Sequence, residues 1–147
     1  MSDINEAMIF AAGFGKRMHP LSTKVPKPLL KVNGKPIISY IIEDLINLNF
    51  KNIVINTHHL SERFHDELKP YSRTIKIVFE EEILDTGGGF LNAIKRNYFS
   101  NLKSPKVLIN GDVLWKKTVN SPIKNILRNW NEETMDLLLC LIKKRYF

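Results

Sequence analysis

The chain of 147 residues has the length of one domain, and 44% of its residues are hydrophobic, which is enough to bury a core. No apolar run approaches the roughly 20 residues that cross a bilayer, and the N-terminal segment MSDINEAMIF is acidic before it becomes apolar, unlike a secretory signal. We therefore expect one cytoplasmic domain over residues 1–147, with no membrane partner.

The net charge of +7 is compatible with two kinds of anionic partner, or with a lysine-rich proteome and no such partner. A diffuse basic face would indicate nucleic acid, whereas a local cluster would indicate a small anionic ligand. Six of the 22 basic residues lie between positions 16 and 35, in a segment without acids. This clustering favours a localised anion site over a nucleic-acid partner.

The first predicted element is a buried strand at Ala7–Ala12, which is short, apolar and followed by glycine. After an irregular segment at 13–35, the helical spacing of apolar residues predicts a helix from Pro36 to near Asn49. The remaining predicted elements alternate in type: strand Asn52–Asn56, helix Leu60–Leu68, strand Thr74–Glu80, a helix from the glycine loop Thr86–Gly89 to about Tyr98, strand Lys106–Asn110, helix Pro122–Trp130 and strand Met135–Ile142.

This alternation predicts the α/β class, with a Rossmann-like, mainly parallel sheet and helices on both faces. In such a sheet, ligands bind beyond the carboxyl ends of the strands, where the strand order reverses. The chemically unusual residues all follow predicted strands, at 13–27, 56–59, 85–89 and 111–112. We therefore expect them to meet at one edge of the sheet.

The segment from Met8 to Lys31 joins the first strand to Gly13-Phe14-Gly15 and then to the basic cluster. Glycine lets backbone N–H groups approach an anion, and basic side chains neutralise its charge, so the segment is typical of a polyphosphate site. Two common phosphate motifs do not match it. The dinucleotide fingerprint needs a third glycine where Met18 lies, and a Walker A loop needs Ser or Thr where Arg17 lies.

The same stretch resembles the signature of the sugar-1-phosphate nucleotidyltransferases. The matching residues are Ala11-Ala12-Gly13-Phe14-Gly15-Lys16-Arg17-Met18, Pro20-Leu21, Lys24 and Pro26-Lys27-Pro28-Leu29. Asp85-Thr86-Gly87-Gly88-Gly89 looks like the family's nucleobase loop, and Asn110-Gly111-Asp112-Val113 looks like its metal-binding strand end. The Thr-Gly-Gly-Gly form is most similar to the N-acetylmuramate-1-phosphate uridylyltransferases, and the mannose-1-phosphate guanylyltransferases are close relatives.

The resemblance implies a sheet of the nucleotide-diphospho-sugar transferase type and a reaction in which an NTP and a sugar-1-phosphate give an NDP-sugar and pyrophosphate. It implies catalytic roles for Arg17, on the β- and γ-phosphates, and for Lys27, on the α-phosphate. It assigns nucleotide binding to Ala11, Ala12, Gly13, Gly15, Lys16, Gly87 and Gly88, and a Mg²⁺ cofactor to Asp112. Because an ionised phosphate oxygen is the nucleophile, we expect no catalytic Ser, Cys or His base, and His58 and His59 should form a polar rim.

The resemblance covers the N-terminal part of the family. Relatives continue past the position of Phe147 with further strands, most of the sugar pocket and a second metal-binding aspartate, so we expect a truncated sheet. The strand at Met135–Ile142 would then be an unpaired apolar edge, which predicts a homo-oligomer or a complementing C-terminal segment. Cys140 lies within this strand and is expected to be a buried hydrophobe.

Three functions stay open from the sequence. The first is a nucleotidyltransferase, with UTP and N-acetylmuramate-1-phosphate as the first substrate pair and GTP and mannose-1-phosphate as the second. The next is a nucleotide-binding module that cannot complete catalysis. The third is a basic domain associated with nucleic acid.

Overall fold

The computed structural model describes residues 4–115 and 121–141, and the core of this part is a four-stranded parallel sheet. The strands are β1 (Glu6–Phe10), β2 (Lys31–Val32), β3 (Lys35–Pro36), β4 (Asn52–Thr57), β5 (Ile75–Phe79) and β6 (Val107–Asn110). The helices are α1 (Ile37–Asn47), α2 (Glu62–Glu67), α3 (Asp85–Lys95) and α4 (Pro122–Asn129). No helix in these ranges is long and apolar enough to cross a membrane. The predicted α/β class with a mainly parallel sheet is confirmed.

Strand β1 lies in the middle of the sheet, between β4 and β6, and β5 lies beyond β4. All of these strands run parallel, and Ile9 of β1 is opposite both Ile55 of β4 and Ile109 of β6. The chain moves outward from β1 through α1 to β4 and through α2 to β5. It then returns through α3 and places β6 on the other side of β1. The strand order therefore reverses between β1 and β6, which is the position where parallel sheets bind ligands.

The side chains of the sheet alternate between two apolar layers. Ile9 and Ile55 face the layer that contains α1, α2 and α4. Met8 and Val54 face a second layer, which contains Ala93 of α3. Because successive side chains of a strand point to opposite faces, the continuous apolar runs of β1 and β4 are buried on both sides. The prediction of helices on both faces is thereby confirmed.

Helix α1 is fixed to the sheet by one apolar face. Ile38, Ile41, Ile42 and Leu45 follow the spacing i, i+3, i+4 and i+7, and each is at most 1% exposed. Full burial of each such side chain contributes roughly 1.5–3 kcal/mol. The helix ends just before Asn49, which has a left-handed φ of 66°.

The segment between β1 and α1 is irregular, as predicted, but it is folded compactly. Three single-turn 3-10 segments, at Lys16–Met18, Leu21–Thr23 and Lys27–Leu29, precede the hairpin of β2 and β3. Asn33 and Gly34 at the tip of this hairpin have φ values of 50° and 77°, which is the left-handed pair that a tight two-residue turn needs. The predicted Asn33-Gly34 turn is therefore confirmed.

The predicted strand at Met135–Ile142 is wrong for its described part. Residues 135–141 form no strand, and Ile142 lies outside the described residues. Cys140, predicted to be buried, is exposed. Three leucines of this segment are also exposed, by 70% at Leu137, 64% at Leu139 and 82% at Leu141. Alternating leucines satisfy the side-chain pattern of a strand, but a strand also needs a neighbour for its backbone groups, and this segment pairs with none in the described part of the chain.

Glu6, the first residue of β1, is a buried carboxylate at the amino edge of the sheet. Its Oε1 accepts hydrogen bonds of 2.8 Å from Asn52 Nδ2, Ser100 N and Ser100 Oγ, and Lys106 Nζ lies 3.2 Å from its Oε2. Burial alone would raise the pKa of Glu6, but the hydrogen bonds from Ser100, Asn52 and Lys106 outweigh it and lower the pKa to about 2. Glu6 thereby ties the start of β1 to β4 and to the segment before β6.

We predict that Glu6→Gln lowers the free energy of unfolding at neutral pH by about 3 kcal/mol, because the buried Lys106 ammonium loses its only described carboxylate partner and keeps only neutral acceptors on Asn101 and Ser104. The pKa of Glu6 is lower in the folded state than in the unfolded state. Its contribution is therefore complete above the unfolded value of 4.5 and is lost as the pH falls toward 2. Urea unfolding at a series of pH values should show the wild-type and variant stabilities converging in acid.

The matched control for this prediction is Glu67→Gln, because Glu67 is 40% exposed and its Oε1 lies 3.4 Å from the Nζ of the exposed Lys31. We expect this surface pair to contribute less than about 1 kcal/mol. Equal losses of stability in the two variants would contradict the role given to Glu6.

Candidate functional site

A cleft of about 330 Å³ opens beyond the carboxyl ends of the strands, at the position where the strand order reverses. Segments that follow β1 and β5 and the last residues of β4 and β6 contribute to its walls. Its lining includes Ala11, Ala12, Gly13, Gly15, Arg17, Lys27, Asn56, Glu80, Asp85, Thr86, Asn110 and Asp112. The predicted meeting of strand-end residues at one edge is therefore confirmed.

The first wall of the cleft is the glycine turn directly after β1. Ala11 and Ala12 are only 5% and 6% exposed, so the chain stays packed until the turn begins. Gly15 has a φ of 63°, and a Cβ at this position would lie 3.1 Å from the Cβ of Lys27 and 3.2 Å from that of Ser22. Ser22 Oγ donates a hydrogen bond of 2.7 Å to the carbonyl of Gly15. Glycine here permits the backbone conformation and lets the turn lie against the segment that carries Lys27.

The two predicted catalytic cations, Arg17 and Lys27, line the same cleft as the predicted metal ligand Asp112. Arg17 lies in the turn Lys16–Met18, and Lys27 begins the turn Lys27–Leu29. Lys27 Nζ donates to Asp112 Oδ2 over 2.5 Å, although the two residues are 85 positions apart in the chain. The side chains of this ion pair are 27% and 35% exposed. Two cations and one carboxylate are thus brought together where an anionic ligand can reach them.

The predicted nucleotide-binding residue Lys16 does not line the cleft, although its neighbours Gly15 and Arg17 do. Its ammonium lies over an aromatic cluster made by Phe14, His58, His59 and Phe79. Lys16 Nζ lies 5.3 Å from the centroid of the Phe14 ring. Ring centroids of Phe14 and His58 are 5.4 Å apart in an edge-on arrangement, and His59 lies 5.8 Å from Phe14. His58 also stacks on Phe79, with centroids 6.4 Å apart. Both histidines therefore belong to an aromatic cluster rather than to the predicted polar rim, and neither of them lines the cleft.

The predicted glycine loop at Thr86–Gly89 is wrong, because these residues form the first turns of α3. The helix begins at Asp85, which has a φ of 55°. Three glycines weaken a helix when it stands alone, but packing of its buried face overrides the propensity. Gly87 and Gly88 lie in this turn without lining the cleft, which is lined here by Asp85 and Thr86.

Two buried polar residues of the cleft had no role in the predicted site: Asn56 was expected only as one of the strand-end residues at 56–59, and Glu80 was not singled out. Asn56, near the end of β4, and Glu80, directly after β5, are each 2% exposed and line the cleft. Asn56 Oδ1 accepts a hydrogen bond of 2.9 Å from the backbone N–H of Ala11, and Asn56 Nδ2 donates one of 2.9 Å to Glu80 Oε1. Both residues are polar ends of apolar strands, and this sequence signal could have found them.

Asp112 is the candidate ligand for a divalent cation. Within residues 4–115 and 121–141, no three His, Cys, Asp or Glu side chains are grouped so as to hold a metal ion. One carboxylate beside two cations suits Mg²⁺ that arrives with phosphates, because Mg²⁺ keeps several waters and takes one or two protein carboxylates. The residues therefore fit Mg²⁺ in a nucleotide complex rather than in a protein-only site.

Comparison with known proteins identifies relatives along most of the chain. A family model described as Nucleotidyl transferase matches residues 6–146. The chain is 29% identical over 141 residues to an N-acetylmuramate alpha-1-phosphate uridylyltransferase of Caulobacter vibrioides, covering 92% of this chain and 57% of that protein. It is 39% identical over 113 residues to a protein of the same name from Neisseria meningitidis, covering 74% of this chain and 47% of that protein.

A solved structure has the same fold over a similar range. The crystal structure of HddC from Yersinia pseudotuberculosis complexed with GMP-PN matches with a TM-score of 0.61 and 27% identity, covering 74% of this chain and 48% of that one. The chain thus spans about half the length of the relatives that it matches.

The packing of α3 against the buried pair gives a testable prediction. A Cβ at Gly89 would lie 2.7 Å from Glu80 Oε1 and 2.9 Å from Asn56 Nδ2, whereas a Cβ at Gly87 would meet nothing within 4 Å. We expect Gly89→Ala to lower the free energy of unfolding by about 1–3 kcal/mol, because the buried pair must shift. Gly87→Ala should be neutral or stabilise by up to about 1 kcal/mol through helix propensity. Urea unfolding measures both, and equal effects would contradict the packing described.

Proposed function

The chain belongs to the nucleotidyl transferase family, and we propose that it acts in a sugar-1-phosphate nucleotidyltransferase, which converts an NTP and a sugar-1-phosphate into an NDP-sugar and pyrophosphate. The observation that carries this proposal is the meeting of Arg17, Lys27 and Asp112 in one cleft beyond the reversal point of a parallel sheet. The names of the two uridylyltransferase relatives support the same reaction class.

The proposed reaction needs no protein nucleophile. A phosphate monoester has a second pKa of about 6, so the sugar-1-phosphate oxygen is ionised near neutral pH. This oxygen attacks the α-phosphorus of the NTP, a new P–O bond forms, and the bond to the bridging oxygen of the β-phosphate breaks. Pyrophosphate leaves with the electron pair of that bond. Catalysis then consists of in-line positioning and neutralisation of phosphate charge, which the cations of the cleft can supply.

We assign the side chains of the cleft as follows. Arg17 takes the β- and γ-phosphates, because its planar guanidinium matches two phosphate oxygens at once. Lys27 takes the α-phosphate and the charge that develops on it in the transition state, as a compact point charge. The nucleotide is further assigned to the backbone and small side chains of Ala11, Ala12, Gly13 and Gly15, and to the charge of Lys16. Gly87 and Gly88 do not line the cleft, so we assign that wall to Asp85 and Thr86 instead.

Asp112 is assigned to Mg²⁺ that binds together with the triphosphate. The ion, when bound, neutralises phosphate charge and orients the phosphates. Lys27 Nζ donates a hydrogen bond to Asp112 Oδ2, and this closeness supports the proposal that both side chains act on the same phosphate group. Lys27 can therefore meet the α-phosphate while Asp112 holds the cation beside it.

Two substrate pairs are proposed for this site. The first is UTP with N-acetylmuramate-1-phosphate, which the names and the 29% and 39% identities of the two curated relatives support. The second is GTP with mannose-1-phosphate, which is supported equally by the names of mannose-1-phosphate guanylyltransferase relatives from Danio rerio and Schizosaccharomyces pombe, 28% and 33% identical over 113 residues. The alternative is a module that binds nucleotide without completing the reaction.

The part of the site that takes the sugar is proposed to come from further polypeptide, since this chain spans about half of its relatives. A complementing C-terminal segment or a second copy of the chain would supply it. We propose that the protein works in the cytoplasm, where nucleoside triphosphates are available.

Isothermal titration with UTP, GTP and a single-stranded oligonucleotide tests the proposed ligand class. We expect one of the two nucleotides to bind, with an affinity that rises about tenfold when Mg²⁺ is added, because the ion neutralises the phosphates beside Asp112. Asp112→Asn should retain binding of the free nucleotide and lose the enhancement by Mg²⁺. Tighter binding of the oligonucleotide than of either nucleotide would favour the nucleic-acid function instead.

Pyrophosphate release with the two substrate pairs tests the role of Lys27. We predict that Lys27→Ala lowers kcat by about 100–1000-fold and changes the KM for nucleotide by less than about tenfold, because the lost charge acts mainly in the transition state. Lys51→Ala is the matched control, since Lys51 is an exposed lysine directly before β4, at the opposite edge of the sheet. An unchanged kcat in Lys27→Ala would refute the assignment. These rates are measured with the segment that supplies the sugar site present. Nucleotide binding without pyrophosphate release by the wild type under that condition would favour the binding module.

A further inference from the structure

Asn56 and Glu80 line the cleft but have no part in the reaction proposed above. Each is 2% exposed, so both are withdrawn from water. A buried carboxylate is unfavourable unless hydrogen bonds satisfy it. A buried amide also needs hydrogen bonds, although leaving it unsatisfied costs less free energy. Their placement beside a ligand cleft therefore needs a physical reason.

The hydrogen bonds of this pair connect the two walls of the cleft. Asn56 Oδ1 accepts from the N–H of Ala11, in the first wall, over 2.9 Å. Asn56 Nδ2 donates to Glu80 Oε1 over 2.9 Å, and Glu80 Oε2 accepts from the N–H of Leu84, just before α3, over 3.3 Å. The result is a continuous bridge from the end of β1 to the start of α3.

The bridge is also fixed from outside the cleft. The backbone N–H of Glu80 donates to the carbonyl of Thr57 over 2.8 Å, and His58 Nδ1 lies 2.8 Å from the carbonyl of Glu80. Gly89 packs closely against both side chains. A Cβ atom added at this position would lie only 2.7 Å from Glu80 Oε1. The bridge therefore has little freedom to change its length.

We propose that Asn56 and Glu80 are positioning residues that set the width of the slot between Ala11–Gly13 and Asp85–Thr86, which takes the nucleoside part of the nucleotide. This inference rests on the proposed function and adds a determinant of nucleoside binding to it. Arg17 and Lys27 reach the cleft from the separate turns that follow Gly15. A change in the bridge should therefore weaken binding of the whole nucleotide much more than binding of pyrophosphate, which engages the cations alone.

The polarity of the bridge allows a rescue experiment. Asn56→Asp sets one carboxylate against another and removes the donor to Glu80. In Glu80→Gln, the amide oxygen still accepts from Asn56. The amide N–H₂ group then faces the N–H of Leu84, so that two donors meet. In the double variant, an aspartate at 56 accepts from Ala11 and from the amide at 80, whose oxygen accepts from Leu84. Every hydrogen bond of the bridge is then restored, with the direction of the central one reversed.

The experiment measures UTP, GTP and pyrophosphate dissociation constants by titration, together with melting temperatures, for the wild type, both single variants and the double variant. For the nucleotide that the wild type binds, we expect about 30-fold weaker binding in Asn56→Asp and about tenfold weaker binding in Glu80→Gln. The double variant should return to within about threefold of the wild type, and pyrophosphate binding should change by less than about threefold throughout.

Asn52→Asp is the matched control. Asn52 is a buried asparagine that donates to the buried Glu6 over 2.8 Å at the opposite edge of the sheet. The same change there should lower the melting temperature and leave nucleotide binding by the folded protein unchanged.

The outcomes separate this inference from the proposed function. A wild-type chain that binds neither nucleotide overturns both. A wild type that binds nucleotide, with Asn56→Asp binding it equally well, overturns only the positioning role. The positioning role alone is also overturned if pyrophosphate binding falls in parallel with nucleotide binding, or if the double variant binds nucleotide no more tightly than Glu80→Gln. Should Asn56→Asp fail to fold, the comparison between Glu80→Gln and the double variant decides.

Discussion

The structure depends on the parallel pairing of β1 with a neighbour on each side. Its register sets Phe10 opposite both Asn56 of β4 and Asn110 of β6, so that the three strands end within one residue of one another. The pairing continues one residue further, because the N–H of Gly111 donates to the carbonyl of Phe10 over 2.8 Å. A Cβ at Gly111 would lie 2.9 Å from that carbonyl oxygen, so glycine is what allows this close approach. Asp112 reaches the cleft because β6 is held this closely to β1.

The two edges of the sheet use the same kind of contact, a buried carboxylate bonded to a buried asparagine, for different purposes. At the amino edge, Glu6 has Lys106 as a cationic partner, and the pair joins distant segments of the chain. At the carboxyl edge, Glu80 is held by Asn56 and by the N–H of Leu84. At the amino edge, the Glu6 carboxylate is neutralised by the Lys106 ammonium, and the pair contributes to stability. The arrangement at the carboxyl edge keeps an acceptor-only group beside the cleft and contributes to its shape.

The sequence predicted the sheet well because its signals are local. Apolar runs ended by glycine or a polar residue located β1, β4, β5 and β6 to within two residues, and their alternation with helices then fixed a parallel sheet. The position of Arg17, Lys27 and Asp112 in one cleft followed from the rule that strands of such a sheet present their carboxyl ends at one edge. The roles of these residues remain predictions.

The errors arose where the outcome depends on partners that are distant in the chain. The glycines from 87 to 89 have the composition of a loop, but contacts of α3 with the sheet make them helical. The leucines of 137–141 have the pattern of a strand, but a strand also needs a backbone neighbour. Glu80 is a third case. Its carboxylate can be buried because it accepts hydrogen bonds from donors on β4 and just before α3, and the residues next to Glu80 in the sequence do not reveal the donor on β4.

The ion pair of Lys27 and Asp112 explains how a preformed cleft can still admit a charged ligand. Its side chains are 27% and 35% exposed, and an ion pair with that much contact with water contributes only about 0–1 kcal/mol. In the proposed reaction, a nucleotide bound with Mg²⁺ offers Lys27 a phosphate and offers Asp112 a cation. Each side chain then exchanges one partner of opposite charge for another, so neither is left unpaired as the cleft fills. The free energy needed to break the ion pair is therefore small compared with that of the phosphate contacts that replace it. The sheet beneath the cleft does not have to move.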